Sequence, residues 1–446
     1  MSERPVQYRP RRLADWLHPA GERKVHSLVD KVYKMKNLET AWKKVKQNGG
    51  AGGIDGETID TFGHKRDDEL HRLQQELKGK TYQPQPVRRH ELPKTGSAGK
   101  TRQLGIPTIY DRVCQQALVN CLELIFEPLF DDASFGYRPG RSTKDALRKI
   151  WQELEEGREW IVDADLKDFF GSVDHEKLLT LINQQVADGR VLSLTRQILK
   201  SGMLVEGKKQ PTESGTPQGG VISPLLSNIL LTPFDREMRR KGYRLSRYSD
   251  DWVITCKSRK EAYEALKAAR GVLEKLGVQL HEEKTRVVNV RQGFEFLGYK
   301  IKKGSRPMRL KPSQIKSGKQ QGALYAYPRH KSLHRFKDQI RKLTRRRRSV
   351  TMHELIRALN PVIRGWGLYY CKAHVRRLFN QLDRWIARRI WSHRYKRWRN
   401  TGWRALPKAR LYGEYGLVNL IRLIPSLNLK DHAFVKAAYG KTVRAV

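Results

Sequence analysis

The sequence predicts an α+β protein in which an antiparallel sheet with helices on one face is followed by a bundle of three helices. Two observations predict the sheet. Apolar residues alternate along residues 161–166, and the pattern of residues 243–253 is that of two short strands joined by a tight turn. A third observation predicts the bundle, because apolar residues recur every three or four positions in three separate runs after Ser332.

The two short strands meet at a pair of acidic residues. Asp250 and Asp251 stand within RYSDDWVI, residues 247–254, where the strands leave no room for a long loop. Both carboxylates are therefore expected at the hairpin tip, where they repel unless one takes a proton or a cation lies between them. Hard oxygen ligands favour magnesium. An adjacent pair of aspartates also occurs at two other places in the chain and is by itself typical of a solvated turn.

The strand at residues 161–166 carries acids on one face. Asp163 and Asp165 alternate with apolar residues, an arrangement that indicates contact with a cation or with solvent. Asp174 then opens an amphipathic run with an acidic first turn, so the local unit is strand, turn and helix. Asp165 can thus supply a third carboxylate to the pair at the hairpin.

The charge of the chain points to a polyanionic partner. The formal net charge is +43, of which +32 lies in residues 301–446 and +11 in residues 1–300. An unmixed basic surface repels itself unless a partner neutralises it, so nucleic acid is the expected partner. No apolar run approaches the roughly 20 residues of a membrane-spanning helix, and no integral membrane association is expected.

The acidic motifs belong to a series of blocks that resembles a known family. The blocks are RQLGIPTIYDR (102–112), SFGYRPGRS (134–142), DLKDFFGSVDH (165–175), GTPQGGVISPLLSNI (215–229), YSDD (248–251) and FEFLGY (294–299). In this order they resemble the reverse transcriptases encoded by bacterial group II introns. The following region, with GWGLYY at residues 365–370, resembles the thumb or maturase domain of the same proteins. The resemblance implies a right-hand polymerase fold with fingers, an antiparallel-sheet palm, a three-helix thumb and a short basic C-terminal tail.

The resemblance also implies an RNA-directed DNA polymerase with Asp165, Asp250 and Asp251 as its catalytic acids. Asp165 and Asp250 would hold two Mg²⁺ ions together with the backbone carbonyl of Leu166, and Asp251 would add negative charge. A primer 3′-oxygen would attack the α-phosphorus of a dNTP, and pyrophosphate would leave.

Three positions near these acids qualify the expectation. Ser249 stands where most members of the family have Ala, but it is small enough for activity to survive. His281 stands where the family usually has Asn, which puts any role of that amide in doubt. Lys284 is a candidate for protonating pyrophosphate as it leaves.

Five residues are implied to bind the nucleotide. Lys94 and Arg102 would flank the triphosphate from a hairpin of the fingers, for which an ordinary charged hairpin is the alternative. Phe170 matches a steric gate that excludes a 2′-hydroxyl, although an aromatic at this spacing also suits a core. Gln218 would position the nucleotide, and Gly219 would leave room for it.

Two further sets of residues are implied to bind nucleic acid. The primer grip would consist of Phe296, Leu297, Gly298 and Tyr299. RNA contacts are expected from Arg345, Arg346, Arg347 and Arg348. These arginines are expected to end the first thumb helix, but four in a row exceed what capping requires.

The predicted domains follow the blocks. They are a basic leader (1–36), fingers with a template-binding block (37–160), a palm (161–304), a thumb or maturase domain (305–399) and a basic DNA-binding tail (400–446). The implied partners are group II intron RNA, an RNA template with a DNA or RNA primer, target DNA and dNTPs, and a homodimer is a further expectation. The implied location is the bacterial cytoplasm, in association with the nucleoid.

Two alternatives keep the fold and change the function. One is a maturase that only binds RNA and promotes splicing, with a vestigial polymerase site. The presence of all three acids and of the gate aromatic argues against it, because clustering like charges is costly. The other is a domesticated host reverse transcriptase used in repair or defence, which the residues do not distinguish from an intron-encoded protein.

Overall fold

The computed structural model describes residues 24–93, 101–205, 208–210, 214–216, 219–304, 323–396 and 402–425. The chain divides into two compact units, which are described separately. The first comprises Met1–Glu153 and Trp160–Val287, and the second comprises Leu154–Glu159 and Val288–Val446. Among the described residues, no helix is both long and apolar enough to cross a membrane.

Residues 24–304 form eleven helices and ten strands among the described segments. The helices are α1 (Val29–Val32), α2 (Met35–Asn48), α3 (Ile59–His64), α4 (Arg66–Gly79), α5 (Ile109–Phe126), α6 (Thr143–Glu155), α7 (Phe169–Ser172), α8 (His175–Asn183), α9 (Gly189–Leu199), α10 (Ser223–Arg240) and α11 (Arg259–Lys275). The strands are β1 (Val87–Pro93), β2 (Thr101–Ile106), β3 (Trp160–Ala164), β4 (Met203–Val205), β5 (Lys208–Gln210), β6 (Arg244–Tyr248), β7 (Asp251–Cys256), β8 (Arg286–Asn289), β9 (Phe294–Phe296) and β10 (Tyr299–Lys303).

The central sheet of the first unit has the order β6-β7-β3-β8. Both β6 and β3 pair with β7 in the antiparallel direction, as the alternating patterns predict. One face of the sheet is apolar because every second residue is Val, Ala, Leu, Ile or Trp. That face belongs to a large buried cluster, and α10 and α11 pack against its strands. The expected antiparallel sheet is therefore present. Its other face also contacts a helix, because the Thr255 hydroxyl donates to Glu153 of α6 at 2.7 Å.

A second sheet in the first unit has the order β2-β1-β4-β5. Its β1 and β2 form the predicted antiparallel hairpin, with Leu92 opposite Arg102. The first turn of α5 joins this hairpin to the glycine-rich segment before α3. The Arg112 guanidinium donates to the carbonyls of Ala51 and Pro107, and a Cβ at Gly53 would lie 2.6 Å from the Thr108 backbone. The glycine-rich segment is thus held in place, which argues against a flexible linker.

The second unit combines a three-stranded sheet with helices. The additional elements are β11 (Leu324–Pro328), α12 (His330–Leu343), α13 (Met352–Tyr370), α14 (Arg376–Tyr395), α15 (Gly402–Ala405) and α16 (Lys408–Tyr412). The sheet order is β11-β10-β9. The three long helices lie where the periodicity predicts them, and α13 begins with a capping box formed by Thr351 and Glu354.

Candidate active site

The hairpin of β6 and β7 ends in a two-residue turn made by Ser249 and Asp250. Tyr248 pairs with Asp251 across the hairpin, and Ser249 has a φ of +61°. A positive φ at the first turn residue matches the twist of the flanking strands, but it is strained for a residue with a side chain. Asp251 is the exposed first residue of β7. The expectation that both aspartates lie in the turn is therefore wrong for Asp251, because the strand ladder extends further than predicted.

Asp165 lies directly after β3, beside the start of β7. The last pair of the ladder between these strands is Ala164 with Trp252, so continuing the antiparallel register brings Asp165 opposite Asp251. Opposite residues of an antiparallel pair share one face of the sheet. The strands thus bring Asp165 and Asp251 to the same end and face of the sheet, next to the turn that carries Asp250.

The carboxylate of Asp165 has a cationic partner. The Nζ atom of Lys284 lies 2.5 Å from its Oδ2 atom, and the Lys284 side chain is 58% exposed. Two residues after Lys284 and two residues before Asp165, Arg286 pairs with Asp163 at 2.9 Å. Solvent screens such pairs, so each contributes little to stability. Asp165 can therefore exchange Lys284 for another cation at small cost.

The main chain after Asp165 presents an oxygen at the same place. Leu166 bridges Leu280, and this bridge is flanked by hydrogen bonds from Lys167 N–H to Gln279 O (2.8 Å) and from His281 N–H to Asp165 O (2.9 Å). In an antiparallel pair of this kind, the two central residues do not bond to each other. The carbonyl of Leu166 therefore points away from Leu280.

The donor set fits magnesium in its chemistry. Within the described part of the chain, no group of three or more His, Cys, Asp or Glu side chains is arranged closely enough to hold a metal ion. The strand register nevertheless places carboxylates at one end of the sheet, and the Asp165 side chain is 28% exposed. Carboxylate and carbonyl oxygens are the ligands of hard cations. Rotation of the exposed side chains, with release of Lys284, would complete such a site.

A buried arginine anchors the turn of Ser249 and Asp250. Arg247 and Asp235 are fully buried, and the guanidinium donates to both carboxylate oxygens at 2.7 and 2.5 Å. It also donates to the carbonyl of Ser249 at 2.9 Å, to Asn228 Oδ1 at 3.0 Å and to Ser134 Oγ at 2.9 Å. Burial raises the pKa of the Asp235 carboxyl, an effect that Arg247 partly offsets. This network ties the turn to α10, which carries Asp235 and Asn228.

The sequence analysis did not assign this role to Arg247. A signal was present, since alternation along β6 places Arg247 on the same buried face as Leu245. A cation on an apolar face requires a buried acid, and Asp235 lies in the otherwise apolar run of α10.

The block SFGYRPGRS supports the same turn from the other side. A Cβ at Gly136 would lie 2.4 Å from the backbone nitrogen of Ser249, so only glycine lets the two segments approach this closely. Asn228 Nδ2 donates to the Gly136 carbonyl at 2.9 Å. Arg138 is buried and donates to Glu127 and to the Ser134 carbonyl. Gly136 therefore contacts the turn and Ser134 contacts its arginine, whereas Arg138 holds the block to Glu127.

The implied nucleotide-binding residues are only partly described. Lys94, Gln218 and the side chain of Arg102 lie outside the described residues. The Phe170 side chain lies in the core. It is almost fully buried and packs edge-on against Phe169, with ring centroids 5.3 Å apart. Gly219 has a φ of +109°, and a Cβ there would lie 2.8 Å from the Gly105 carbonyl oxygen. The close approach to β2 therefore requires glycine at position 219, whether or not a nucleotide binds there.

The predicted primer grip is a tight turn held by two tyrosines. Leu297 and Gly298 join β9 to β10 with φ angles of +46° and +79°, as in a type I′ turn. Tyr369 Oη donates to the Leu297 carbonyl at 2.7 Å, and Tyr370 Oη donates to the Gly298 carbonyl at 3.0 Å. Tyr299 donates back to the carbonyl of Tyr369. The end of α13 thus fixes this turn within the second unit.

The four consecutive arginines lie outside the helix that they were expected to end. α12 ends at Leu343 with Thr344 as its C-cap, and the exposed arginines follow in the loop before α13. The Thr344 hydroxyl donates back to the Ile340 carbonyl, which helps to close the helix. The Arg346 guanidinium donates to Ser392 Oγ at 3.0 Å, and the Arg348 guanidinium donates to the carbonyl of Leu343, the last residue of α12, at 3.5 Å.

Two protein-family models match the chain. Reverse transcriptase (RNA-dependent DNA polymerase) matches residues 92–301, and the maturase-specific domain of group II introns matches residues 333–412. The first match contains β3 and the β6–β7 hairpin with all three aspartates. The second contains α13, α14 and most of α12. Fold and site therefore define a reverse transcriptase with a maturase-specific domain.

Sequence similarity to individual proteins identifies the family within this class. Protein YkfC of Escherichia coli (strain K12) is 32% identical over 338 residues, which are 66% of this chain and 88% of that protein. Group II intron-encoded protein LtrA of Lactococcus lactis subsp. cremoris is 33% identical over 329 residues, 59% of this chain and 54% of that protein. The chain thus spans about half the length of LtrA. It belongs to the family of group II intron reverse transcriptases and maturases, and it is an RNA-directed DNA polymerase.

A likeness to a solved structure is also found. A chain of a partial Cas6-RT-Cas1--Cas2 complex aligns with 56% of this chain and 42% of its own length. The TM-score is 0.37 and the sequence identity is 22%.

Proposed function

We propose that the chain adds dNTPs to a primer 3′ end at Asp165, Asp250 and Asp251, with two Mg²⁺ ions as cofactors. The observation that carries this proposal is the strand register, which brings Asp165 opposite Asp251 and beside the turn of Asp250. Asp165 and Asp250 hold the ions with the carbonyl of Leu166, and Asp251 adds negative charge. When bound, the ions lower the pKa of the primer 3′-hydroxyl and offset charge on the transferred phosphoryl group.

Lys284 has two successive roles in this proposal. Its salt bridge first neutralises Asp165 and keeps the carboxylate at the end of the sheet. Asp165 would give up this salt bridge to hold a metal ion, and the exposed ammonium group would then be available beside the site. It can then donate a proton to an oxygen of pyrophosphate as the α–β phosphate bond breaks. An unchanged rate of the chemical step in Lys284→Ala would dismiss the second role.

The nucleotide is proposed to lie between the β1–β2 hairpin and the acids. Lys94 and Arg102 neutralise its triphosphate, Gln218 and Gly219 position it, and Phe170 contacts its sugar. The hairpin pairing supports the first pair, because Arg102 stands opposite Leu92 at the base of the loop that contains Lys94. Phe170 is poised for a sugar contact only through the small part of its ring that is not buried.

The nucleic-acid partners are proposed from the family and the charge. They are group II intron RNA, whose splicing the chain promotes, an RNA template with its primer, and target DNA. The turn at residues 296–299 contacts the primer end, and Arg345 to Arg348 contact RNA phosphates. In this proposal residues 37–160 are fingers, residues 161–304 palm, residues 305–399 thumb and residues 400–446 a DNA-binding tail.

Primer extension on an RNA template tests the site. Asp250→Asn and Asp165→Asn should each lower the rate by about 10³-fold or more, because loss of a metal ligand removes several kcal/mol of transition-state stabilisation. Asp68→Asn is the control, since Asp68 belongs to another adjacent acidic pair and is exposed on α4. It should extend the primer like the wild type.

Two outcomes would contradict the proposal. Extension that persists in Asp250→Asn would overturn the assignment of the site. A wild-type chain that binds intron RNA but extends no primer at any magnesium concentration would favour a maturase that acts in splicing alone.

A further inference from the structure

The sheet of the second unit has one buried face and one open face. Phe294, Ile301 and Ala326 point into the core, as alternation along each strand requires. The opposite face consists of the alternate residues of the three strands. Its members are Glu295, Lys300, Lys302, Tyr325 and Tyr327.

Two tyrosines on this open face form a pre-arranged aromatic surface. The rings of Tyr325 and Tyr327 are nearly parallel, with 10° between their planes and 6.1 Å between their centroids. His374 contacts both rings, at 5.0 and 6.0 Å between centroids. Its own ring is fixed, because its Nδ1 atom accepts the Ala326 N–H at 3.1 Å and its main chain donates to the Ala326 carbonyl at 2.9 Å. The aromatic surface therefore needs little ordering before a ligand binds.

Lysines stand opposite both tyrosines in the sheet. Lys300 is directly opposite Tyr327, and Lys302 is directly opposite Tyr325. Both lysines are exposed, and a Cβ at Gly293 would lie 3.4 Å from Lys302 Cβ and 3.6 Å from Lys300 Cε. Among the residues of these three strands, Glu295 is the acid on this face, and it stands opposite Lys300. The open face thus has a net positive charge.

Tyr325 and Tyr327 differ in what the fold requires of them. A Cβ at Gly304 would lie 2.8 Å from the Tyr325 ring, so Tyr325 covers a glycine of the neighbouring strand end and has a structural role. Tyr327 is 41% exposed. A large exposed aromatic between lysines is unfavourable for solubility and favourable for stacking on a base.

We propose that Tyr325, Tyr327, Lys300 and Lys302, the tyrosine platform, bind a single-stranded segment of nucleic acid. Bases stack on the tyrosine rings, and the lysines neutralise the adjoining phosphates. Single strands are preferred over duplexes because only unpaired bases expose their faces to a side chain. The platform is distinct from the turn at residues 296–299 and adds a strand-binding surface to the proposed function on which it rests.

The test measures binding of short labelled oligonucleotides to the full chain by fluorescence anisotropy at one salt concentration. The probes are oligo(U), oligo(dU) and a duplex of the same length. Tyr327→Ala should weaken binding of the single strands about 5- to 150-fold, the loss expected for one base stack of about 1–3 kcal/mol, and should leave duplex binding unchanged. Tyr327→Phe should bind like the wild type. A preference for oligo(U) over oligo(dU) would indicate contacts to the 2′-hydroxyl.

The lysines have a separate readout. Exchanging both Lys300 and Lys302 for Gln should reduce the slope of log K against log salt by about 1.4 for single strands, as expected for two lost phosphate contacts. Tyr327→Ala should leave that slope unchanged, because stacking releases no counterions.

Further variants distinguish binding at the tyrosine platform from nonspecific electrostatic binding and from binding at the proposed active site. Tyr263→Ala removes a similarly exposed tyrosine, 50% accessible on α11, and should have no effect. Asp250→Asn should bind the oligonucleotides normally, so its failure in primer extension does not bear on the platform. Photocrosslinking of a 4-thiouridine oligonucleotide should label the peptide that contains Tyr327. Absence of that crosslink, or equal losses for duplex and single strands in Tyr327→Ala, would overturn the proposal.

Discussion

Arg247 illustrates how a residue with no proposed part in the reaction can determine the position of the turn that carries Asp250. It lies two positions before the turn residue whose carbonyl it binds, and all of its charge is matched by Asp235 in the protein interior. A buried ion pair is costly to assemble, but removing one partner leaves the other charge without solvent or partner. The pair therefore makes the turn depend on α10.

Asp235→Ala should be strongly destabilising for this reason. We expect the free energy of unfolding to fall by about 3–5 kcal/mol, the usual cost of stranding one charge of a buried pair. Urea denaturation followed by circular dichroism would measure the change. Arg270→Ala breaks an ion pair with Glu282 on the surface, and its denaturation midpoint should stay at the wild-type value. A midpoint for Asp235→Ala that matches this control would show that the pair does not hold the turn.

Ser249 offers a test in the opposite direction. Its side chain is buried, and its hydroxyl has no hydrogen-bond partner among the described residues. Ser249→Ala should therefore raise the free energy of unfolding by about 1 kcal/mol, since an unsatisfied buried hydroxyl costs about 1–3 kcal/mol. Primer extension should be unaffected. A loss of stability in the same denaturation assay would indicate a partner for the hydroxyl.

At the scale of elements, tight turns between strands carry two of the sites. The turn at Ser249 and Asp250 is held by Arg247 of β6. The turn at Leu297 and Gly298 is held by tyrosine hydroxyls from α13. Each uses positive φ angles that match the strand twist. In both cases a side chain satisfies a carbonyl of the turn, from β6 in the first turn and from α13 in the second.

Gly298→Ala should disturb the second turn. A Cβ there would lie 2.8 Å from Tyr370 Oη, and the φ of +79° is unfavourable for alanine. We expect a loss of about 1–3 kcal/mol in the stability of the second unit and weaker binding of primer, measured as a higher KM for the primer-template.

Gly365→Ala is the matched control for that prediction. Gly365 is exposed within α13 of the same unit, and a Cβ there would meet nothing within 4 Å. Alanine should stabilise the helix at this position by about 0.5–1 kcal/mol. If both variants lose stability to the same degree, the contact with Tyr370 is not the cause.

At the scale of the whole molecule, charge is the dominant property. The net charge of +43 is concentrated after residue 300, in the region that matches the maturase-specific domain. The exposed loop with Arg345 to Arg348 belongs to this region. Association with RNA should therefore be driven largely by release of counterions.

The affinity for RNA should depend steeply on salt. If the chain neutralises about 6–10 phosphates, the association constant should fall about 10³- to 10⁵-fold between 50 and 200 mM salt. Filter binding across this range would measure the slope. Exchanging Arg347 for Gln should reduce the slope by about 1, as for loss of one phosphate contact. A slope near zero in the wild type would contradict the charge argument.

Patterns in the chain were sufficient for much of the fold and for the class of protein. Alternation predicted β3 and the β6–β7 hairpin, helical periodicity predicted α12, α13 and α14, and the ordered blocks predicted the family. Strands and helices impose a regular spacing on the apolar residues of a short segment, so these features could be predicted from the local sequence. The same patterns placed Asp251 in the turn and the four arginines at a helix end, because the last residue of an element depends on contacts that spacing does not reveal.

The sequence by itself determined which acids could serve the reaction, where the strands that carry them run, and that the partner is a polyanion. Only the tertiary structure decided that Asp165 comes opposite Asp251 through the register of β3 with β7. It alone paired Arg247 with Asp235, Lys284 with Asp165 and the tyrosines of α13 with the turn before β10. These contacts join residues that are distant in the chain, and their geometry arises only when the strands and helices pack together.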